Sequence, residues 1–209
     1  GIYDAAYTPA GTWNLSEPAI QVTHADGNRS LDLQYIRHVV SPVDDNTTVT
    51  TIVLKDPLYA FEVSLVYKVW KKENVVEQFT EIRHSENAAV TLRKYASANL
   101  YFSQKETYLT TYNSGWAREM QPGETKLLPG MRSIDSKLGT RAMLLQSPNF
   151  ILSFGKPASE HEGTVVLGQL AWCGNFKLDF EVDFTNGGGI QAQVMRAELF
   201  PYRVALMRK

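Results

Sequence analysis

Asp179, Glu181 and Asp183 alternate with Phe180, Val182 and Phe184. An extended chain therefore sets three carboxylates on one face, about 6.6–7 Å apart along it. Carboxylates at such a distance serve glycosidic cleavage and hard cations alike. Lys177 falls on the same face and offsets their charge, so a solvated strand face is the simpler expectation. The four histidines, His24, His38, His84 and His161, show no zinc-like spacing. His161 lies in the polar run Ser159-Glu160-His161-Glu162-Gly163, which reads as a solvated turn. His24 ends an apolar run beside Asp26-Gly27, where it is expected to cap the turn rather than act as a base. His84 and Glu81 could form an acid–base pair, but their odd separation turns them to opposite faces of a strand. No Gly-x-Ser-x-Gly elbow and no phosphate loop occurs. No catalytic residue, metal ligand or cofactor site is expected.

Tryptophan is the stronger hint. Trp13, Trp116 and Trp172 each stand near small or polar residues: Gly11 and Asn14, Gly115 and Arg118, Gly174 and Asn175. An aromatic face beside amide donors suits a sugar ring, which offers an apolar C–H face rimmed by hydroxyls. Core packing is the default expectation for Trp172, which lies in an apolar run, and for Trp116, and Cys173 is expected as a buried and inert thiol. Trp13, in an irregular loop, is the one expected to touch a ligand or a second subunit.

These residues need strands to hold them, and strands are what the chain offers. Ile20 to His24 and Leu31 to His38 flank Asp26-Gly27-Asn28, a hairpin signal because glycine accepts positive φ. Thr47 to Leu54 is rich in β-branched residues and ends at Asp56-Pro57. Phe61, Val63, Leu65, Tyr67 and Val69 then share one face, with Glu62, Ser64 and Lys68 on the other. Val75 to His84 and Val90 to Phe102 follow after short turns, so three long neighbours read as a meander. Shorter runs come next, at Tyr108 to Tyr112, Met131 to Ser136, Ala142 to Gln146, Phe150 to Phe154, Val165 to Ala171, Phe176 to Phe184 and Ile190 to Val194. No sustained 3.6-residue period appears, so helix is minor. The expected fold is all-β, a large two-sheet antiparallel sandwich forming one domain over residues 1–209.

Composition agrees. A chain of 209 residues with 44% hydrophobic content can bury roughly 70% of its unfolded surface, which dispenses with staples. Cys173 is the only cysteine, so no internal disulfide forms and cysteine-pair metal sites are excluded. Twenty-one basic residues balance 22 acidic ones without a basic stripe, arguing against nucleic acid and anionic membrane as partners. No stretch approaches the ~20 apolar residues of a membrane helix.

Several segments together resemble the N-terminal domain of glycoside hydrolase family 36, the bacterial α-galactosidases. They are Glu17-Pro18-Ala19-Ile20-Gln21-Val22, His24-Ala25-Asp26-Gly27-Asn28, Leu54-Lys55-Asp56-Pro57, Gly115-Trp116-Ala117-Arg118-Glu119, Ile134 to Arg141 and Gly174-Asn175-Phe176, in the family's order. The resemblance implies a β-supersandwich that precedes a catalytic (β/α)8 barrel. That barrel supplies an aspartate nucleophile, in a Lys-Trp-Asp type segment, and an aspartate acid/base. No tryptophan here is followed by aspartate, and a barrel needs about 250 residues by itself. The expected role is thus an accessory domain of an enzyme acting on terminal α-linked galactose, inactive on its own. Its implied partners are its own barrel, further copies of the parent, and at most peripherally a galactose-containing oligosaccharide, in the cytoplasm or periplasm of a bacterium.

In tetrameric members a Gly-Asp-aromatic-Arg segment before Glu-Pro-Ala reaches a neighbouring sugar site. Here Trp13, Asn14, Leu15 and Ser16 stand there, so the acid is an amide and the arginine is absent. Asn14 keeps a hydrogen bond for a hydroxyl and Trp13 a stacking face. With Trp116, these are the substrate- or subunit-contact candidates. Past Gly189 the chain departs from the family pattern, running through Phe200-Pro201-Tyr202. Two other functions compete: a free-standing sugar-binding module built on the tryptophans, and a mutarotase-like enzyme of shared architecture, which needs a paired histidine and glutamate.

Overall fold

The structure is a computed structural model that describes residues 5–12, 15–104, 106–183, 189–196 and 204–206. The described residues form fifteen strands, one 3₁₀ turn at Gly139–Arg141 and no α-helix. The strands are distributed over four antiparallel sheets. Among the described residues no helix is long and apolar enough to cross a membrane. Chain contacts divide the protein into two compact units, each with two sheets.

One unit comprises Tyr7–Asn14, Pro18–Ala98 and Arg203–Lys209. Its larger sheet is a meander of β2 (Gln34–Pro42), β3 (Thr47–Lys55), β4 (Phe61–Trp70) and β5 (Val75–His84), in that order. On β4, Phe61, Val63 and Leu65 of the expected inner face are fully buried, but Ser64 and Val66 of the other face are buried too, at 6% and 7% exposure. Asn74 closes the β4–β5 turn at φ 52, a left-handed geometry that asparagine tolerates. Asp44 closes the β2–β3 turn by accepting the Asn46 and Thr47 N–H groups at 2.7 and 2.6 Å. Those backbone donors hold its carboxyl below the usual carboxylate range. The smaller sheet is ordered β1 (Ile20–Thr23), β6 (Val90–Tyr95) and β15 (Val204–Leu206). Buried Tyr7 donates its hydroxyl to Ala96 O at 2.8 Å, and burial pushes that phenol's pKa upward.

The other unit comprises Gly1–Ala6, Leu15–Glu17 and Asn99–Tyr202. One sheet is ordered β10 (Gly130–Ser136), β13 (Phe176–Val182), β14 (Ile190–Arg196) and β7 (Ala98–Phe102). Its second is ordered β12 (Thr164–Gln169), β11 (Gln146–Phe154), β8 (Thr107–Gly115) and β9 (Arg118–Lys126). Phe150 of β11 meets Phe180 of β13 edge-to-face at 5.1 Å, so the two sheets share a core. Gly168 is paired opposite Phe150, and a Cβ there would fall 2.1 Å from the phenyl Cζ. The ring occupies the space that any larger residue would need.

Four expectations are corrected. The Asp26-Gly27-Asn28 turn forms, with Gly27 at φ +89 and His24 N donating to Asn28 O at 2.8 Å, but no hairpin follows. β1 pairs with β6 and β2 with β3, because Leu31 N is taken by Ala10 O and Asp32 N by Asp56 Oδ2. Those two bonds lead the chain away from β1. Val90 to Phe102 splits into β6 and β7, in different sheets, at the small residues Ala96 and Ser97. The meander accordingly runs from β2 to β5. Ala142 to Leu145 is not a strand: the 3₁₀ turn leads into further turns before β11 begins at Gln146, and Met143, Leu144 and Leu145, none of them β-branched, stay exposed. β9 was not anticipated, because Pro122 and Gly123 break its apolar pattern; an edge position tolerates both.

Candidate functional site

The face of β13 that carries Asp179 and Glu181, expected to be solvated, is closed over at Asp179. Asp179 is 1% exposed, although Lys177 Nζ reaches its Oδ2 at 2.9 Å and Ser133 on paired β10 donates to its Oδ1. Glu181 Oε2 accepts Glu17 N at 2.7 Å. These carboxylates hold neighbouring segments in place. Among the described residues no group of three His, Cys, Asp or Glu side chains is disposed to hold a metal ion.

Trp116, expected by default in the core, instead stands at the tip of the β8–β9 hairpin, where no neighbouring layer covers it, and is 98% exposed. The turn residue beside it, Ala117, has φ 54. Trp172 and Cys173, expected in the core, lie in a loop instead: Trp172 is 39% exposed and the thiol is exposed. The indole folds over Gly174, where a Cβ would fall 2.6 Å from Nε1. Trp13 and Asn14 lie outside the described residues. His161 sits in the expected polar turn, where Ser159 Oγ accepts the His161 and Glu162 N–H groups.

The constellation that single-residue reading missed is built on His24. Meander parity brings two of its loops together. The β3–β4 loop (residues 56–60) and the segment after β5 (residues 85–89) leave the sheet at one end, because Phe61 is paired with His84. Ser85 N donates to Ala60 O at 2.8 Å and ties them. Buried Asp56 shapes the first loop, accepting Leu58 N at 2.8 Å and Tyr59 N at 3.0 Å through Oδ1. The turn after β1 docks on both. His24 is buried, with Nδ1 2.8 Å from Glu86 Oε1 and Nε2 3.0 Å from Ser30 O. Its ring stacks on Tyr59 at 3.7 Å and 8° and meets Phe61 edge-on at 5.9 Å. Glu86 Oε2 accepts Ala25 N at 2.9 Å. Tyr59 in turn donates its hydroxyl to Asp26 Oδ2 and accepts from Asn28 Nδ2, both at 2.8 Å. Donation from Asn28 N–H, then from the Tyr59 hydroxyl, holds the Asp26 carboxyl below the usual range.

A histidine beside a glutamate is the pair that acid–base chemistry on a sugar would need. Here both ring nitrogens and both carboxylate oxygens are engaged internally, and the two side chains are 0% and 6% exposed. Neither presents a free atom to a substrate, so the pair ties three segments together. Outside it lies an open depression of about 440 Å³ lined by Asp26, Leu58, Tyr59, Ser85, Glu86 and Asn87, among others. Alternation along one strand gives no sign of this cluster. The signal was topological: loops on one side of a meander share an end.

Antiparallel sheets stacked in pairs, with polar side chains spent on holding loops, define the chain as an all-β sandwich protein. It belongs to the Glycosyl hydrolase family 36 N-terminal domain family, whose sequence model matches residues 2–199. "Alpha-galactosidase 2" of Pediococcus pentosaceus is 26% identical over 196 residues, covering 85% of this chain and 26% of that protein. "Alpha-galactosidase AgaA" of Geobacillus stearothermophilus is 26% identical over 191 residues, with the same coverages. Crystallised AgaA A355E with 1-deoxygalactonojirimycin superposes at a TM-score of 0.87, with 25% identity, over 96% of this chain and 29% of that one. The α-galactosidase from Lactobacillus brevis gives 0.85 at 22% identity, over 98% and 29%. The chain thus spans about a quarter of the length of the curated relatives it matches.

Proposed function

We propose that this chain serves as the N-terminal accessory domain of an α-galactosidase, an enzyme that releases terminal α-linked galactose from oligosaccharides. The observation that carries this reading is the family match over residues 2–199, set against a relative of which the chain covers only 26%. The role is structural: the sandwich supports a catalytic barrel and takes part in assembly of the parent into an oligomer. Its internal polar clusters agree, since each is spent on joining segments rather than on facing a substrate. Trp13, Asn14 and Trp116 border the sugar site of the intact enzyme, with Trp116 already presented on an exposed hairpin tip. Assay of the purified chain on p-nitrophenyl α-galactopyranoside tests the reading. No release above a mock-purified control is expected. Sustained turnover that copurifies with the chain refutes the accessory role. In the full-length parent, Trp116→Ala should alter substrate KM or assembly, and an unchanged enzyme removes Trp116 from the site.

A further inference from the structure

The depression beside the His24 cluster is absorbed by no role above. One wall is Tyr59, whose ring is backed by buried His24 at 3.7 Å and whose hydroxyl is pinned by Asp26 and Asn28. That aromatic surface is held in a single orientation before any ligand arrives. Asp26 and Asn87 stand exposed at the rim, with Ser85 beside them and Leu58 projecting alongside. The volume, about 440 Å³, falls in the lower part of the range used by small-molecule sites. No lysine or arginine lines it, so a phosphorylated or sulfated ligand finds no counter-charge.

We propose that this depression binds one neutral pyranose ring, with the sugar's C–H face on Tyr59. Ring hydroxyls donate to Asp26, and the Asn87 amide and Ser85 hydroxyl supply further partners. A fixed aromatic face loses little side-chain entropy on binding, which offsets the small contact area. A carboxylate that already accepts two bonds keeps lone pairs for hydroxyl donors. An organic cation is the competing ligand, since it too favours an aromatic face near an acid. It is disfavoured because His24 covers the other face of Tyr59, leaving one ring rather than a cage, and because a cation makes no use of Asn87 or Ser85 as donors. The inference stands apart from the accessory-domain role, since a domain can carry this platform whether or not it supports a barrel.

The test is ¹⁵N-resolved NMR titration of the 209-residue chain with methyl α-D-galactopyranoside, with glycerol and tetramethylammonium as controls. Saturable shifts confined to the amides of Ala25, Asp26, Leu58, Tyr59, Ala60, Ser85 and Asn87 are expected, with Kd on the order of millimolar. Tyr59→Ala should abolish them. Because that variant also unstacks His24, Asn87→Ala serves beside it; Asn87 is exposed, and its loss should weaken binding about threefold while leaving the fold intact. No saturable shift at 50 mM sugar, shifts centred elsewhere, equal shifts with glycerol, or tighter binding of tetramethylammonium would each overturn the assignment. A negative result leaves the hydrolysis assay untouched, and turnover in that assay leaves this one untouched.

Discussion

Glu86→Ala is the substitution that most directly tests the account of the His24 cluster. It removes the partner of His24 Nδ1, at 2.8 Å, and of Ala25 N, at 2.9 Å. The two interacting side chains are 0% and 6% exposed, so solvent neither screens the pair nor replaces the lost acceptor. Breaking a buried charge-assisted contact and stranding its partner costs about 3 kcal/mol. For a chain of this length each kcal/mol moves the midpoint by about 2–4 °C, so thermal unfolding followed by circular dichroism should fall by about 6–12 °C. Glu86→Gln keeps the shape and an acceptor, and should lose about half as much. Combining Glu86→Ala with His24→Leu should cost clearly less than the sum of the single changes, because the second change removes the stranded group. Additive losses, or a loss below about 1 kcal/mol for Glu86→Ala, would show that the contact does not hold these segments.

Gly168→Ala places a Cβ 2.1 Å from the Phe150 ring, and chemical denaturation should report a loss of about 1–3 kcal/mol; a neutral variant would mean the ring moves aside freely. Ser133→Ala withdraws a donor from buried Asp179, and should lower stability by about 1–2 kcal/mol, whereas Ser133→Thr should retain much of it. Asp44 has a carboxyl held below its ordinary pKa in the fold, so its contribution is present above the unfolded value of about 3.9 and disappears as pH falls through the folded one. The midpoint gap between the natural chain and Asp44→Asn should therefore be full above that unfolded value and shrink as the pH is lowered below it; a gap that does not shrink would refute the linkage. Trp116→Ala should leave the unfolding midpoint within about 1 °C, since the side chain is 98% exposed, and a larger drop would mean that the indole packs on its own domain.

Of the β2–β5 meander, residue order made the β4–β5 pair legible because its rules are local, but it pointed onward to residues 90–102 and paired β2 with β1. Alternation over Phe61 to Trp70 assigns two faces, and the four-residue link to β5 leaves these antiparallel neighbours no other place to go. Once β3, β4 and β5 are neighbours, the loops at residues 56–60 and 85–89 fall at one end. Tertiary structure decided which sheet the remaining strands join. The turn at Asp26-Gly27-Asn28 has hairpin chemistry, yet bonds from Ala10 and Asp56 carry the following chain elsewhere. Only the folded chain brings His24 to Glu86 across 62 positions, or buries Asp179 on a face that alternation marks merely as the one opposite Phe180. Alternation says that a strand has two sides. What covers each side depends on partners far away in sequence, and those contacts form only when the sheets close around them.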